Sequence, residues 1–109
     1  MMIGKEQKGS NMLVSVSGRL DVVTAPEFQK VCVELADQGT PVVVVDFAEL
    51  EYISSAGLRS VLFLAKKLKA QGGELKFCGL KGMVEDVFRV SGFHSMFTIA
   101  PTAGDIPGM

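Results

Sequence analysis

The chain has 109 residues, which suits one domain with a single hydrophobic core and leaves no room for a separate catalytic domain. Hydrophobic residues make up 48% of it and charged residues 21%, a balance typical of a packed domain and not of a disordered chain. The formal net charge of -1 gives no electrostatic reason to expect nucleic acid or an acidic membrane as a partner. We therefore expect the partner to be a protein or a small molecule.

The N-terminus and the two cysteines indicate the compartment. Residues 1–6 lack an apolar segment of signal-peptide length, and no apolar stretch reaches the ~18 residues of a membrane span. Cys32 and Cys78 lie in separate apolar stretches and form no C-x-x-C pair, which is typical of buried, reduced thiols. These features predict a cytoplasmic protein.

The first third of the chain predicts two strands and a helix. Residues 3–7 fit an edge strand, and the alternation of residues 12–17 predicts a strand with one apolar face. Thr24, with Glu27 three residues later, predicts a capping box at the start of a helix. Gly39 is expected to end that helix.

A buried strand followed by a second helix is predicted next. Residues 42–45 are four valines in a row, a pattern typical of a central strand that is covered on both faces. After Asp46 we expect a short connection, and then a helix that Ser54 or Ser55 caps. The glycine pair at 72–73 is expected to end this helix.

The last third predicts a strand, a helix and a short final strand. Residues 74–78 alternate as a strand, and the apolar positions of residues 84–88 recur at helical spacing before Gly92. Residues 96–99 fit a last short strand, and the Pro- and Gly-rich residues 100–109 fit a loosely ordered tail.

Strands that alternate with helices of this length predict right-handed crossovers in an α/β domain. We expect a single domain over residues 1–109, with its core in about residues 10–99. The sheet is expected to be mixed but mostly parallel, with four or five strands and three or more helices.

Little in the sequence points to catalysis. The single histidine, His94, follows a helix stop and is typical of an exposed or loop-anchored residue. The sequence contains neither of the glycine-rich nucleotide-binding motifs, G-x-G-x-x-G after the first strand or G-x-x-x-x-G-K-[ST]. Asp46 stands where a receiver-like domain carries a phosphate-accepting aspartate, but the first strand lacks the acidic pair that would hold Mg²⁺. The simpler interpretation is that Asp46 accepts backbone hydrogen bonds. We therefore expect that the protein is not an enzyme and that it holds no metal ion or cofactor.

Two adjacent hydroxyls, Ser54 and Ser55, stand before the second helix. From the residues alone, one of them caps the helix, and Ala56 and Gly57 allow close packing against the sheet. On this interpretation the hydroxyl pair has only a structural role.

The segment from the valine run to Arg59 resembles the signature of the STAS domain family, in its bacterial anti-sigma factor antagonist branch. The shared features are a β-branched strand ending in Asp, an aromatic-apolar pair, and a serine with Ala-Gly-Leu that opens a helix. Residues 18–26 are similar to the family's turn before its first helix, and residues 90–93 to its segment after the third helix. The three motifs occur in the family's order, so the resemblance implies a STAS-like fold.

The resemblance also implies a regulatory switch. The family's phosphorylated serine falls on Ser55, and its preceding aspartate falls on Ser54, the second choice as acceptor. A family member binds an anti-sigma factor with serine-kinase activity when it is unphosphorylated, which releases a sigma factor, and a serine phosphatase acts on the phosphorylated form. On this basis the partner-binding residues are expected to be Asp21, Thr24, Ser54, Ser55, Ala56, Gly57 and Arg59.

Several roles stay open at this stage. Arg59 contacts the phosphate or the partner, or is a solvated charge, and the acids Glu49 and Glu51 are candidates to repel a phosphate. Tyr52 and Phe63 are expected to be core aromatics more than partner contacts.

The chain departs from the family's pattern in two places, since Ser54 replaces an acid and the tail replaces a C-terminal helix. Two alternatives to the switch therefore remain. One is a non-phosphorylated STAS scaffold in a secretion or lipid-transport complex. The other is a STAS domain that binds a small molecule or nucleotide at the helix N-terminus near Ser55.

Overall fold

The computed structural model describes residues 1–109 as one five-stranded mixed sheet with four α-helices. The strands are β1 (Met2–Lys8), β2 (Asn11–Leu20), β3 (Val42–Ile53), β4 (Glu74–Cys78) and β5 (Thr98–Ala100). The helices are α1 (Ala25–Asp37), α2 (Ser55–Ala70), α3 (Gly82–Val90) and α4 (Phe93–Met96). The strands lie in sequential order, with β1 antiparallel to β2 and all other neighbours parallel, which confirms the predicted fold class.

The sheet carries its helices on one face. Right-handed crossovers between sequentially ordered parallel strands put every connecting helix on the same side. Val43 and Val45 accordingly join one core cluster with buried residues of all four helices. Val44 points to the opposite face, where it packs with Cys78 and Ile106. The valine run is therefore covered on both faces, as predicted, but by helices on one face and by C-terminal residues on the other.

The residues after β5 fold back onto the sheet. A 3-10 turn at Ala103–Asp105 is closed by the Thr102 hydroxyl, which donates to Asp105 Oδ2 at 2.9 Å. Ile106 is only 3% exposed. The Pro- and Gly-rich composition of this segment did not indicate such packing.

A chain of phenylalanines ties the helices to the central strands. The Phe47 ring lies 6.4 Å from Phe28 of α1 and 6.1 Å from Phe88 of α3, measured between centroids. Phe77 of β4 meets Phe88 edge-to-face at 5.1 Å. Tilted and edge-to-face contacts of this kind add to the stabilisation that burial of the rings provides, so they hold α1 and α3 against the central strands.

β3 is longer than expected, because the chain continues as a strand through Ile53 where a short connection was predicted. The register shows the cause. Asp46 and Glu49 of β3 face Ser15 and Ser17 of β2, so β3 holds one extra residue in this interval. A second shift follows further along, and both are β-bulges that bend the strand without ending its pairing.

Asp46 lies within β3, beside the first bulge. Its Oδ1 accepts a hydrogen bond from the Ala48 backbone N–H at 2.9 Å, so the expected backbone-accepting role is confirmed. Gly79 packs closely against the Asp46 carboxylate. Its φ is +75°, and a Cβ at this position would lie 2.7 Å from Asp46 Oδ1. Burial raises the pKa of the neighbouring Cys78 thiol to about 12, and the Asp46 carboxylate acts in the same direction.

The remaining elements agree with the sequence patterns apart from the last strand and the short helix α4, which the sequence did not indicate. α1 ends before Gly39, and Cys32 is buried with a pKa raised by burial to about 12. The last strand is Thr98–Ala100, not residues 96–99, because Met96 ends α4. None of the helices has the length and apolar content that a membrane crossing requires.

Candidate functional site

The start of α2 is held against the end of β2. The Ser54 backbone N–H donates to the Leu20 carbonyl oxygen at 2.9 Å. A Cβ at Gly57 would lie 2.9 Å from that same oxygen and 2.8 Å from Ile53 Cγ1. Real Cβ atoms essentially never approach this closely, so the position requires glycine. The sequence interpretation of Gly57 as a close-packing residue is confirmed.

The two adjacent hydroxyls play different parts. Ser54 is the N-cap of α2, with φ -99° and ψ 175°, and its Oγ accepts from the Gly57 backbone N–H at 3.4 Å. Ser55 is the first residue of the helix; its side chain is exposed and its hydroxyl has no hydrogen-bond partner within the chain. Ser55 is therefore the accessible hydroxyl of the pair, and Ser54 the structural one.

Asp21 organises the turn that connects β2 to α1. Its Oδ1 accepts from the backbone N–H groups of Val23 at 3.0 Å and Thr24 at 3.2 Å. The Thr24 backbone N–H is the main cause that holds the pKa of Asp21 below its usual range. The predicted capping box with Glu27 is wrong, because the Thr24 hydroxyl accepts from Asp21 N at 2.9 Å and donates to the Arg19 carbonyl at 2.8 Å. That hydroxyl is thus turned away from the helix it precedes.

Arg19, near the end of β2, packs against the same turn, a role that the sequence did not reveal. Its guanidinium lies 4.1 Å from the centroid of the Tyr52 ring, and its Nε lies 3.8 Å from Asp21 Oδ2. Arg-over-aromatic contacts stabilise by both packing and charge. The only sequence signal was the Arg19-Leu-Asp21 spacing, and nothing in it pointed to Tyr52.

The structure brings the predicted partner-binding residues to one end of the molecule. Asp21 follows directly after Leu20, whose carbonyl contacts the start of α2, and Thr24 lies three residues further along the same turn. Ala56 and Arg59 lie within the first turns of α2, and Arg59 is exposed and makes no salt bridge.

Three features differ from expectation or were not anticipated. Phe63 was expected in the core, but it is 49% exposed. Val22 and Val23, beside Asp21, are 72% and 80% exposed. Glu49 and Glu51 are exposed, and the groove that they line is shared with the start of α3 and with no residue of α2.

Comparison with known proteins identifies the family that has this architecture. A sequence profile of the STAS domain matches residues 2–106. The chain belongs to the STAS domain family. BtrV of Bordetella bronchiseptica, which is assigned as an anti-sigma factor antagonist, is 40% identical over 89 residues, or 82% of this STAS domain and 77% of that protein.

Solved STAS structures agree with the fold. An anti-sigma factor antagonist from Mycobacterium paratuberculosis superposes with a TM-score of 0.87 and 25% identity, covering 95% of this chain and 88% of that one. The Bacillus cell fate determinant SpoIIAA, in its phosphorylated form, has a TM-score of 0.77 and 19% identity and covers 95% of each chain. The fold of this STAS domain therefore matches these two structures over 95% of its chain.

Proposed function

We propose that this STAS domain is an anti-sigma factor antagonist that is switched off by phosphorylation of Ser55. In the unmodified form it binds an anti-sigma factor with serine-kinase activity, so that a sigma factor is released. The observation that carries this proposal is the Ser55 hydroxyl at the start of α2, because Ser55 is exposed and its hydroxyl makes no hydrogen bond within the chain. The adjacent Ser54 hydroxyl, in contrast, caps the helix. The assignments of BtrV and of the Mycobacterium protein as antagonists support the class.

The chain is the ligand and the substrate of this reaction, and the kinase provides ATP and Mg²⁺. The Ser55 oxygen attacks the γ-phosphorus of ATP in line, the bond to the ADP oxygen breaks, and a base on the kinase takes the hydroxyl proton. A serine phosphatase reverses the modification by hydrolysing the phosphoserine. SpoIIAA, which shares the fold, exists in an unphosphorylated and a phosphorylated form.

The helix start tolerates the phosphate. Phosphorylation adds roughly -1.5 to -2 charges, and the free amides and dipole of a helix N-terminus favour an anion. The first turn of α2 contains no acidic residue that would oppose it. Arg59 lies one helical turn after Ser55 and makes no other salt bridge, so its guanidinium is free to pair with the phosphate. The fold should therefore survive the modification.

The binding should not survive it. A contact that fits a neutral hydroxyl must desolvate a doubly charged group once the phosphate is present, which costs far more than burying the hydroxyl. Phosphorylation is thus expected to act on the complex and not on the stability of the domain.

Mass spectrometry tests the acceptor. The chain is incubated with ATP and each serine-kinase anti-sigma factor of the host, and intact and peptide masses are compared for wild type, Ser54→Ala and Ser55→Ala. Ser95→Ala, which removes another exposed serine, is the control. We expect one phosphate on every protein except Ser55→Ala. Loss of the phosphate only in Ser54→Ala would move the acceptor, and no phosphate from a kinase that binds the chain would refute the switch.

A further inference from the structure

A groove of about 470 Å³ runs between α1 and α2, and it begins at the residue next to the proposed acceptor. Small side chains line its base: Ala25 and Ser60 are each 5% exposed, and Ala56 is half-buried. Val22 and Phe63 stand at its rim. The result is a concave apolar surface that extends from the Ser55 end of α2 along the helix.

The rim residues are unusually exposed for their type. Val22 is 72% exposed and Phe63 is 49% exposed. A solvated phenylalanine beside a concave surface forfeits the free energy that burial would give it, and contiguous apolar surface of this kind marks interaction sites.

Basic side chains predominate beside the groove, although one ion pair, between Lys67 Nζ of α2 and Asp37 Oδ1 of α1 at 3.0 Å, joins the two helices. α2 carries the basic residues Arg59, Lys66, Lys67 and Lys69 and no acid, although the chain as a whole has a net charge of -1. Arg59 lies four residues before Phe63 and Lys66 three residues after it, so the two exposed cations lie about one turn to either side of the ring. Lys66 also lines a neighbouring groove, which contains Glu74. Neither Arg59 nor Lys66 makes a salt bridge, Lys30 of α1 also lines the groove between α1 and α2, and no acidic residue does. The surface is complementary to an acidic partner.

We infer that this groove is the docking site for an acidic, amphipathic segment of the anti-sigma factor. An apolar side chain of that segment packs between Val22 and Phe63, and carboxylates beside it face Lys30, Arg59 and Lys66. The inference rests on the proposed function and adds to it a recognition surface separate from the acceptor hydroxyl. A single serine at a helix start carries little information about which kinase should bind. The groove provides that selectivity.

Steady-state phosphorylation kinetics separate docking from chemistry. The probe is the serine-kinase anti-sigma factor that phosphorylates the wild-type chain in the preceding experiment. Phe63→Ser removes the rim aromatic, and Val90→Ser removes a side chain that is 88% exposed at the end of α3 and serves as its control. Lys66→Glu is paired with Lys5→Glu, which makes the same charge change on the exposed face of β1.

Docking predicts a specific pattern. Phe63→Ser and Lys66→Glu should each raise the KM about tenfold with an unchanged kcat, as truncation of an interface anchor does. Both controls should stay within about twofold of wild type. Titration calorimetry without ATP should show the same loss in Kd. Val22→Ser lies in an exposed turn and provides a second groove variant if the fold of Phe63→Ser is disturbed.

Other results would overturn the inference. Wild-type KM and Kd in both Phe63→Ser and Val22→Ser would exclude the groove as the docking site and leave the antagonist function intact. A fall in kcat alone would mean that the variants disturb the acceptor instead. Kinase-independent binding to phosphatidylglycerol vesicles, or a dimer that Phe63→Ser abolishes, would assign the groove to a membrane or to a second copy. Failure of every kinase to bind the wild-type chain would refute the proposed function itself.

Discussion

Replacing Gly57 with alanine tests whether α2 docks on β2 through a contact that only glycine permits. The new Cβ would lie 2.9 Å from the Leu20 carbonyl oxygen and 2.8 Å from Ile53 Cγ1. The oxygen cannot retreat freely, because it accepts the 2.9 Å hydrogen bond from Ser54 N. Overpacking of this kind costs about 1–3 kcal/mol, and the better helix propensity of alanine returns up to about 1 kcal/mol. We expect a net loss of about 1–2 kcal/mol in the free energy of unfolding.

Urea unfolding followed by far-UV circular dichroism measures this loss. At this chain length each kcal/mol corresponds to roughly 4–8 °C in Tm, so a thermal scan gives an independent reading. Gly4→Ala is the matched control, because nothing lies within 4 Å of a Cβ at that position of β1. The control should be neutral or slightly stabilising. A Gly57→Ala variant as stable as wild type would refute the claim that close approach fixes the start of α2.

Further substitutions probe the site and the C-terminal segment. Ser54→Ala removes the N-cap acceptor and should lower the free energy of unfolding by about 1 kcal/mol in urea titrations, whereas an unchanged value would show that the 3.4 Å contact contributes nothing. Because the pKa of Asp21 is lowered by folding, its carboxylate stabilises the protein above the unfolded pKa of about 4 and loses that effect as pH falls through the folded value. The stability difference between wild type and Asp21→Asn should therefore shrink below about pH 4, and a pH-independent difference would contradict this sign. Ile106→Ala should cost about 2 kcal/mol and speed the reaction of Cys78, but not of Cys32, with a thiol reagent at pH 8; equal labelling rates of Cys78 in both proteins would show that Ile106 does not shield it.

The local patterns of the sequence predicted most elements. Four β-branched residues in a row marked the central strand, and a serine before Ala-Gly-Leu marked the start of α2. These signals act over a few residues and depend on backbone preference, so they appear in the sequence directly. The mixed, mostly parallel sheet followed from the alternation of strands and helices.

The second half of β3 was missed because its bulges break the period of two. Phe47, Leu50 and Ile53 are the buried residues of this stretch, and they are spaced by three. A spacing of three does not indicate a strand, because buried residues of a regular strand are spaced by two. Here each bulge adds one residue, so the next buried side chain comes three positions later. Pairing with β2 therefore makes this segment a strand, and the sequence of the segment alone does not reveal that pairing.

The Thr24 capping box failed for a different reason. The sequence motif was present, but a threonine hydroxyl has one proton and few acceptor positions. Here it forms hydrogen bonds with two preceding backbone groups, Asp21 N and Arg19 O, instead of capping the helix. Competition for one hydroxyl depends on the path of the chain around it. In the same way, the exposure of Ser55 and the groove beside Phe63 depend on how α1 and α2 pack, which the sequence pattern did not specify.

The affinity of the anti-sigma factor for the unmodified and the Ser55-phosphorylated chain tests the central claim most directly. Isothermal titration calorimetry on the two purified forms, with a Ser55→Ala protein as the neutral control, gives the three dissociation constants. We predict that phosphorylation weakens binding at least 30-fold, or roughly 2 kcal/mol, while Ser55→Ala binds within about threefold of wild type. Equal affinities of the unmodified and phosphorylated forms would contradict the switch, even if Ser55 is the residue that is modified.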